Sequence, residues 1–183
     1  MYKRQFQILK DPRVDAGQDD FAAQFEFGLK IRDDISRLSE AIMRLRDVRE
    51  QLAGWEKRLP RVGNTQEARA TAKDLVARMT TIEEEFVNTK SSSRMGYPPP
   101  NVPTRLQQKL AMLAAMNAAA DAAPTDQSRQ VFDLLTRQVD EHLKKLGDLF
   151  TTDIPAFNDE IRRLDVPAIL PKPQQESSTA ASG

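Results

Sequence analysis

The sequence predicts an all-α protein, an antiparallel up-down helical bundle of about four long helices. The main evidence is an apolar heptad in the first half of the chain, formed by Ile31, Leu38, Leu45, Leu52 and Leu59. Residues seven positions apart form one stripe along a helix, as in a coiled coil or a helical bundle. The composition agrees, because seven Gly and 6% aromatic residues in 183 positions favour helix over sheet.

The first helix is predicted to begin after Gly17 and to end before Pro60, which cannot continue a helix. Ile35 and Ile42 occupy the second apolar position of the heptad. Arg49 occupies the same position one heptad later, where we expect its side chain to reach solvent or to pair with a carboxylate.

Two further helical segments follow. The second starts after a turn at residues 61–64, and its apolar face consists of Leu75, Met79, Ile82 and Phe86. Residues 91–103 contain three successive Pro and are interpreted as a stiff connector, with a peptide-like ligand for a partner as the alternative. The third helix is predicted to begin at Thr104 and to end at Pro124.

The fourth helix is predicted to begin after Thr125, whose side chain is expected to cap it. Pro155 lacks an amide hydrogen and is expected to kink or restart this helix, with Thr152 or Asp153 as the new cap. We expect the apolar stripe of the fourth helix to face that of the first. The residues involved are Phe132, Leu135, Val139 and Leu146 opposite Ile31, Ile35, Leu38, Ile42, Leu45 and Leu52.

The chain is divided into three parts. Residues 1–15 are interpreted as a linker-like start, because residues 2–5 resemble transposon-linker DNA read in frame, followed by a short alternating strand at residues 6–9. A lone strand has no partner in a helical chain, so we expect it to be the last strand of a domain that lies upstream. Residues 16–165 form the predicted bundle, and residues 166–183 are expected to be a disordered tail.

Charge and composition argue against several classes of function. The 27 basic and 27 acidic residues give a formal net charge of zero, whereas nucleic-acid binding requires clustered positive charge. No run approaches 18 consecutive apolar residues, so no membrane span is predicted. The absence of Cys excludes disulfides and thiolate metal sites.

No residue pattern predicts chemistry, and we therefore assign no catalytic, cofactor-binding or metal-binding residues and expect no cofactor. His142 is the single histidine, and it lies in the apolar stripe of the fourth helix without a G-x-S-x-G turn elsewhere. Val139 stands where a di-iron bundle would have Glu. The carboxylates at residues 33–34 and 83–85 are interpreted as solvated helix faces. An enzyme would require a cleft that gathers His142 with carboxylates.

A series of motifs resembles the C-terminal helical region of exported bacterial proteins built on sortilin-like, BNR-repeat β-propellers. In chain order the motifs are KDPRV at 10–14, QF at 24–25, RDDISRL at 32–38, AI at 41–42, LRDVREQL at 45–52, APTDQS at 123–128 and TDIPAFN at 152–158. Such proteins are often labelled glycosyl hydrolase or exo-sialidase-like. The resemblance implies an extracytoplasmic location and an upstream propeller, and any hydrolase activity would belong to that propeller. It also implies that a small β-sandwich follows the propeller, and that the strand at residues 6–9 is the last strand of this missing sandwich.

These observations predict a non-catalytic C-terminal accessory domain that packs on the propeller or mediates self-association. The alternative is a stand-alone coiled-coil adaptor that binds a partner helix in trans. An exposed apolar patch formed by Phe27, Leu29 and Trp55 would indicate a docking surface for a partner or for the missing domain.

Overall fold

The computed structural model describes residues 3–5, 10–63, 65–89, 102–119 and 121–167. The described residues form α1 (Gln18–Arg58), α2 (Gln66–Phe86), α3 (Leu106–Ala118), α4 (Asp126–Asp148) and α5 (Ile154–Arg163). A short 3₁₀ turn, Leu59–Arg61, follows α1, and a π-helical segment, Leu149–Asp153, joins α4 to α5. The predicted all-α helical bundle is confirmed. The predicted strand at residues 6–9, residues 91–101 of the predicted connector and residues 168–183 of the predicted 166–183 tail lie outside the described residues.

The other helices pack on α1, whose 41 residues span about 60 Å. α3 lies along the first half of α1, where Asn117 Nδ2 donates a hydrogen bond of 3.0 Å to the Gln24 carbonyl. α2 lies along the second half, where Arg46 Nε donates to Glu83 Oε1 at 2.6 Å. Both helices run antiparallel to α1. Because they occupy different halves of α1, they lie one after the other along its length.

The continuous rod of α4, the π segment and α5 runs parallel to α1. Phe132 of α4 packs edge-on against Phe27 of α1 with 5.4 Å between ring centroids. Further along, Arg44 lies over the Phe150 ring at 5.0 Å. α4 therefore contacts α1 as predicted, although α2 and α3 pack along α1 more extensively. Most cross-sections of the bundle contain α1, the α4–α5 rod and either α2 or α3.

The heptad residues of α1 and Leu59, which follows it, form the side of the core contributed by the first helix. Ile31, Leu38, Leu45 and Leu59 are completely inaccessible to solvent. Leu52 and Ile42 are also buried, and Ile35 is half-buried. Burying such side chains stabilises the bundle because each contributes about 1.5–3 kcal/mol when it leaves water.

The predicted kink at Pro155 takes the form of the π-helical segment. Ile154 N–H donates to the Leu149 carbonyl, five residues earlier. The wider turn accommodates a proline, which has no amide hydrogen and clashes with the carbonyl four residues before it. The expected cap at Asp153 is wrong: its carboxylate makes no cap hydrogen bond and instead accepts from Arg78 Nη2 at 2.9 Å.

Two helical glycines offer a test of the helix geometry. A Cβ atom added to Gly54 or Gly147 would meet nothing within 4 Å. We expect Gly54→Ala and Gly147→Ala each to raise the free energy of unfolding by about 0.5–1 kcal/mol, because Ala restricts the unfolded chain and favours helix. Urea denaturation measures this. Gly63→Ala is the control and should lower the free energy of unfolding, since Gly63 has a φ of +37°. Equal effects at all three positions would contradict the helical conformation of Gly54 and Gly147.

Candidate functional site

A buried carboxylate joins α1 to α2. Glu83 is 0% exposed and accepts a hydrogen bond of 2.6 Å from Arg46 Nε on Oε1. Arg49 Nη1 forms a second ion pair with Glu83 Oε2, which confirms the expected pairing of Arg49 with a carboxylate. The interpretation of residues 83–85 as a solvated face is wrong for Glu83, because this side chain points towards α1.

A second buried carboxylate joins α1 to α4. Asp34 accepts hydrogen bonds from Thr136 Oγ1 at 2.6 Å and from Arg37 Nη1 at 2.8 Å. Arg37 also binds Asp140 at 2.5 Å, and the two carboxylates, Asp140 foremost, raise the pKa of the guanidinium. The expectation of a solvated face is therefore wrong for Asp34 as well.

Both carboxylates are engaged in holding helices together. Within the described ranges, no buried side-chain nitrogen or oxygen lacks a hydrogen-bond partner. Neither cluster therefore presents an unused polar group to a substrate, and we interpret both as structural.

His142 lies where α2, α3 and α4 meet. Its ring packs edge-on against Phe86 with 6.0 Å between centroids. It lines a cleft of about 200 Å³ together with Glu85, Glu141 and Thr104. The cleft that an enzyme would require is therefore present in outline, with the histidine, two carboxylates and one hydroxyl group.

The two carboxylates that line this cleft form ion pairs with basic side chains and no hydrogen bond with His142 within the described residues. Glu141 binds Lys145 Nζ at 2.7 Å, which lowers the pKa of the Glu141 carboxyl. Glu85 lies 3.4 Å from Arg105 Nη1. A nucleophile–base–orienter arrangement requires consecutive hydrogen bonds, and none joins His142 to these groups among the residues that the structure describes.

The described part of the chain offers neither a metal site nor a membrane-spanning helix. There, no three His, Asp or Glu side chains are grouped so as to hold a metal ion. No helix in the same ranges is both long and apolar enough to cross a bilayer.

Phe27, Leu29 and Trp55 do not form a common exposed apolar patch. Phe27 is 3% exposed because it faces α4 and packs against Phe132. Leu29 and Trp55 are half-buried, and Arg58 lies over the Trp55 ring at 5.4 Å. These three residues therefore do not form the exposed patch that would indicate a docking surface for a partner or for an upstream domain.

A different apolar surface, here called the α3–α4 patch, is exposed. Its four residues, between 46% and 66% exposed, are Met112, Met116, Val131 and Leu134. Lys109 of α3 and Gln138 of α4 line the same cleft. The two helices run antiparallel from this point. The α3 turns after Lys109, which carry Met112 and Met116, therefore lie beside the α4 turns before Gln138, which carry Val131 and Leu134.

The fold and its surfaces thus define a helical-bundle domain with an exposed apolar patch. No family model, no curated protein and no solved structure matches the chain. The resemblance to the C-terminal region of propeller proteins therefore stays a prediction based on the motifs alone.

Proposed function

We propose that this chain is a non-catalytic interaction domain that associates through the α3–α4 patch. The observation that carries the proposal is the exposure of four large apolar side chains on α3 and α4. The antiparallel pairing of these helices places them on neighbouring turns, and other residues already form the core. Apolar residues scattered singly on a surface are normal, but a contiguous patch commonly marks a contact with another protein. Two of the four are Met, whose flexible side chains adapt to a partner surface.

The patch residues contribute little to the bundle itself, since about half of each side chain remains in contact with water. Association would remove this apolar surface from water and so favour the complex. We propose a second copy of the chain as one occupant, and an upstream domain of the same protein as the other.

The upstream domain follows from the resemblance to sortilin-like, BNR-repeat proteins, which also underlies the proposed extracytoplasmic location. Its support is the order of the motifs from residue 10 to residue 158. Sequencing the source DNA upstream of the first codon tests it. An open frame that continues into repeated strand-rich blades supports the accessory-domain proposal, whereas a start codon with its own ribosome-binding site just before the codon of Phe6 contradicts it.

Self-association is tested by placing charge in the patch. Met116→Glu with Leu134→Glu is expected to raise the dissociation constant of a dimer at least about 100-fold, because both carboxylates would be buried in the interface without partners. Sedimentation velocity over a concentration series measures the change.

The control is Phe25→Glu with Met43→Glu, which alters two apolar residues of α1 that are similarly exposed but lie outside the patch. It should associate like the unmodified chain. Equal association of all three chains would overturn the role of the patch. An unmodified chain that stays monomeric at all concentrations would overturn self-association.

A further inference from the structure

A groove of about 670 Å³ lies between α2 and α5. Ala70 of α2 and Ala156 of α5 are exposed in it, and the buried Leu75 and Phe157 lie beside them. Alanine has no side chain beyond Cβ, so the two helices leave open space that larger residues would fill. A third helix could approach this surface closely, because small residues permit short distances between helix axes.

The dimensions of the groove suit a short helix. Along α2 it extends from Glu67 to Arg78, which corresponds to about 16 Å, or three helical turns. Arg78 Nη2 binds Asp153 Oδ2 at 2.9 Å and closes one end. Asp153 belongs to the π-helical segment before Pro155, so this local irregularity shapes the end of the groove.

The charge of the groove is acidic. Four carboxylates and two guanidiniums line it, which gives a formal charge of −2. Asp153, as the strongest influence, raises the pKa of Arg78, so that cation is already engaged. Towards the other end, Glu67 and Glu160 lie near Arg163, and in the described part of the chain neither carboxylate forms an ion pair.

We propose that this groove binds an amphipathic helix of a partner protein, with small apolar residues on its contacting face and Lys or Arg on its flanks. Length, exposed alanines and negative charge all match such a helix. The site goes beyond the self-association surface, because it lies on different helices and selects a partner of opposite charge.

The test uses a labelled synthetic peptide of about 14 residues, with Ala and Leu on one face and Lys on both flanks. Fluorescence anisotropy is expected to detect binding, and amide resonance shifts should be confined to α2 and α5. Glu67→Lys with Glu160→Lys should weaken binding at least about tenfold, since like charges then face each other. Ala70→Leu with Ala156→Leu should weaken it similarly by filling the groove.

Two controls separate the groove from general charge effects. Glu40→Lys with Glu50→Lys reverses two exposed charges on α1 and should leave the affinity unchanged. A peptide with Glu in place of Lys should not bind. The proposal fails if the Lys peptide does not bind, or if it binds equally to the groove variants and to the α1 control.

Other occupants would also overturn the proposal. If the groove variants change the molar mass of the chain alone in light scattering, the groove is a contact between copies. If deletion of residues 168–183 shifts the groove resonances without peptide, the chain itself supplies the occupant. Neither result bears on the α3–α4 patch, which sedimentation of the Met116→Glu and Leu134→Glu chain tests separately.

Discussion

Phe86→Ala is expected to lower the free energy of unfolding by about 3–5 kcal/mol, the range for removing a fully buried Phe ring. Phe86 is 0% exposed and forms the last residue of α2. Its ring packs edge-on against His142 of α4. Because this ring joins the end of α2 to α4, the cavity left by its removal would loosen the contacts of α2 with the α4–α5 rod.

Urea denaturation followed by circular dichroism measures this loss. Phe25→Ala is the matched control, because Phe25 is 67% exposed on α1 and its truncation should change the stability by no more than about 0.5 kcal/mol. Phe86→Leu fills part of the cavity and should lie between the two. A Phe86→Ala chain as stable as the Phe25→Ala chain would contradict the position of Phe86 in the core.

The first helix and its buried face could be predicted because burial in α1 follows the heptad. Ile31, Leu38 and Leu45 occur at the spacing that keeps one helix face turned inward, and all three are fully buried. The cap at Thr125 was also predictable, and its hydroxyl oxygen accepts from Ser128 N–H at 3.1 Å. In both cases the determining interactions are local in sequence.

The two buried carboxylates were missed although their positions carried a signal. Asp34 lies three residues after Ile31 and four before Leu38, and Glu83 lies four after Met79 and three before Phe86. Each therefore occupies the apolar face of its helix. Neighbouring side chains on a helix point about 100° apart, so one carboxylate of each run turns inward while its neighbour turns outward.

The α3–α4 patch depends on tertiary packing and could not be read from one helix. Met112 and Met116 are four residues apart and form a second apolar row beside the stripe of Leu110 and Leu113. The sequence of α3 does not determine whether another helix of the bundle covers this second row. Its exposure follows from the succession of α2 and α3 along α1, because most cross-sections of the described part of the chain then contain three helices.

The largest expected electrostatic effect concerns Glu83. Replacing Arg46 and Arg49 together by Met is expected to destabilise the bundle by about 3–5 kcal/mol, because the buried carboxylate then has no cationic partner. Removing the carboxylate instead should have a smaller effect. The Arg46 and Arg49 side chains are 56% and 28% exposed, so water can solvate them once Glu83→Leu has removed their partner.

A thermodynamic cycle separates the contributions. Adding Glu83→Leu to the Arg46→Met and Arg49→Met chain is expected to restore most of the lost stability, because an apolar cluster of similar volume replaces an unpaired buried charge. The control is Arg32→Met with Arg162→Met, which removes two exposed ion pairs and should change the stability by no more than about 1 kcal/mol. Urea denaturation of the four chains of the cycle and of the control chain measures these changes in stability. If Glu83→Leu fails to rescue the double variant, the arginines stabilise the bundle through the packing of their methylene groups, and neutralisation of Glu83 is not their main role.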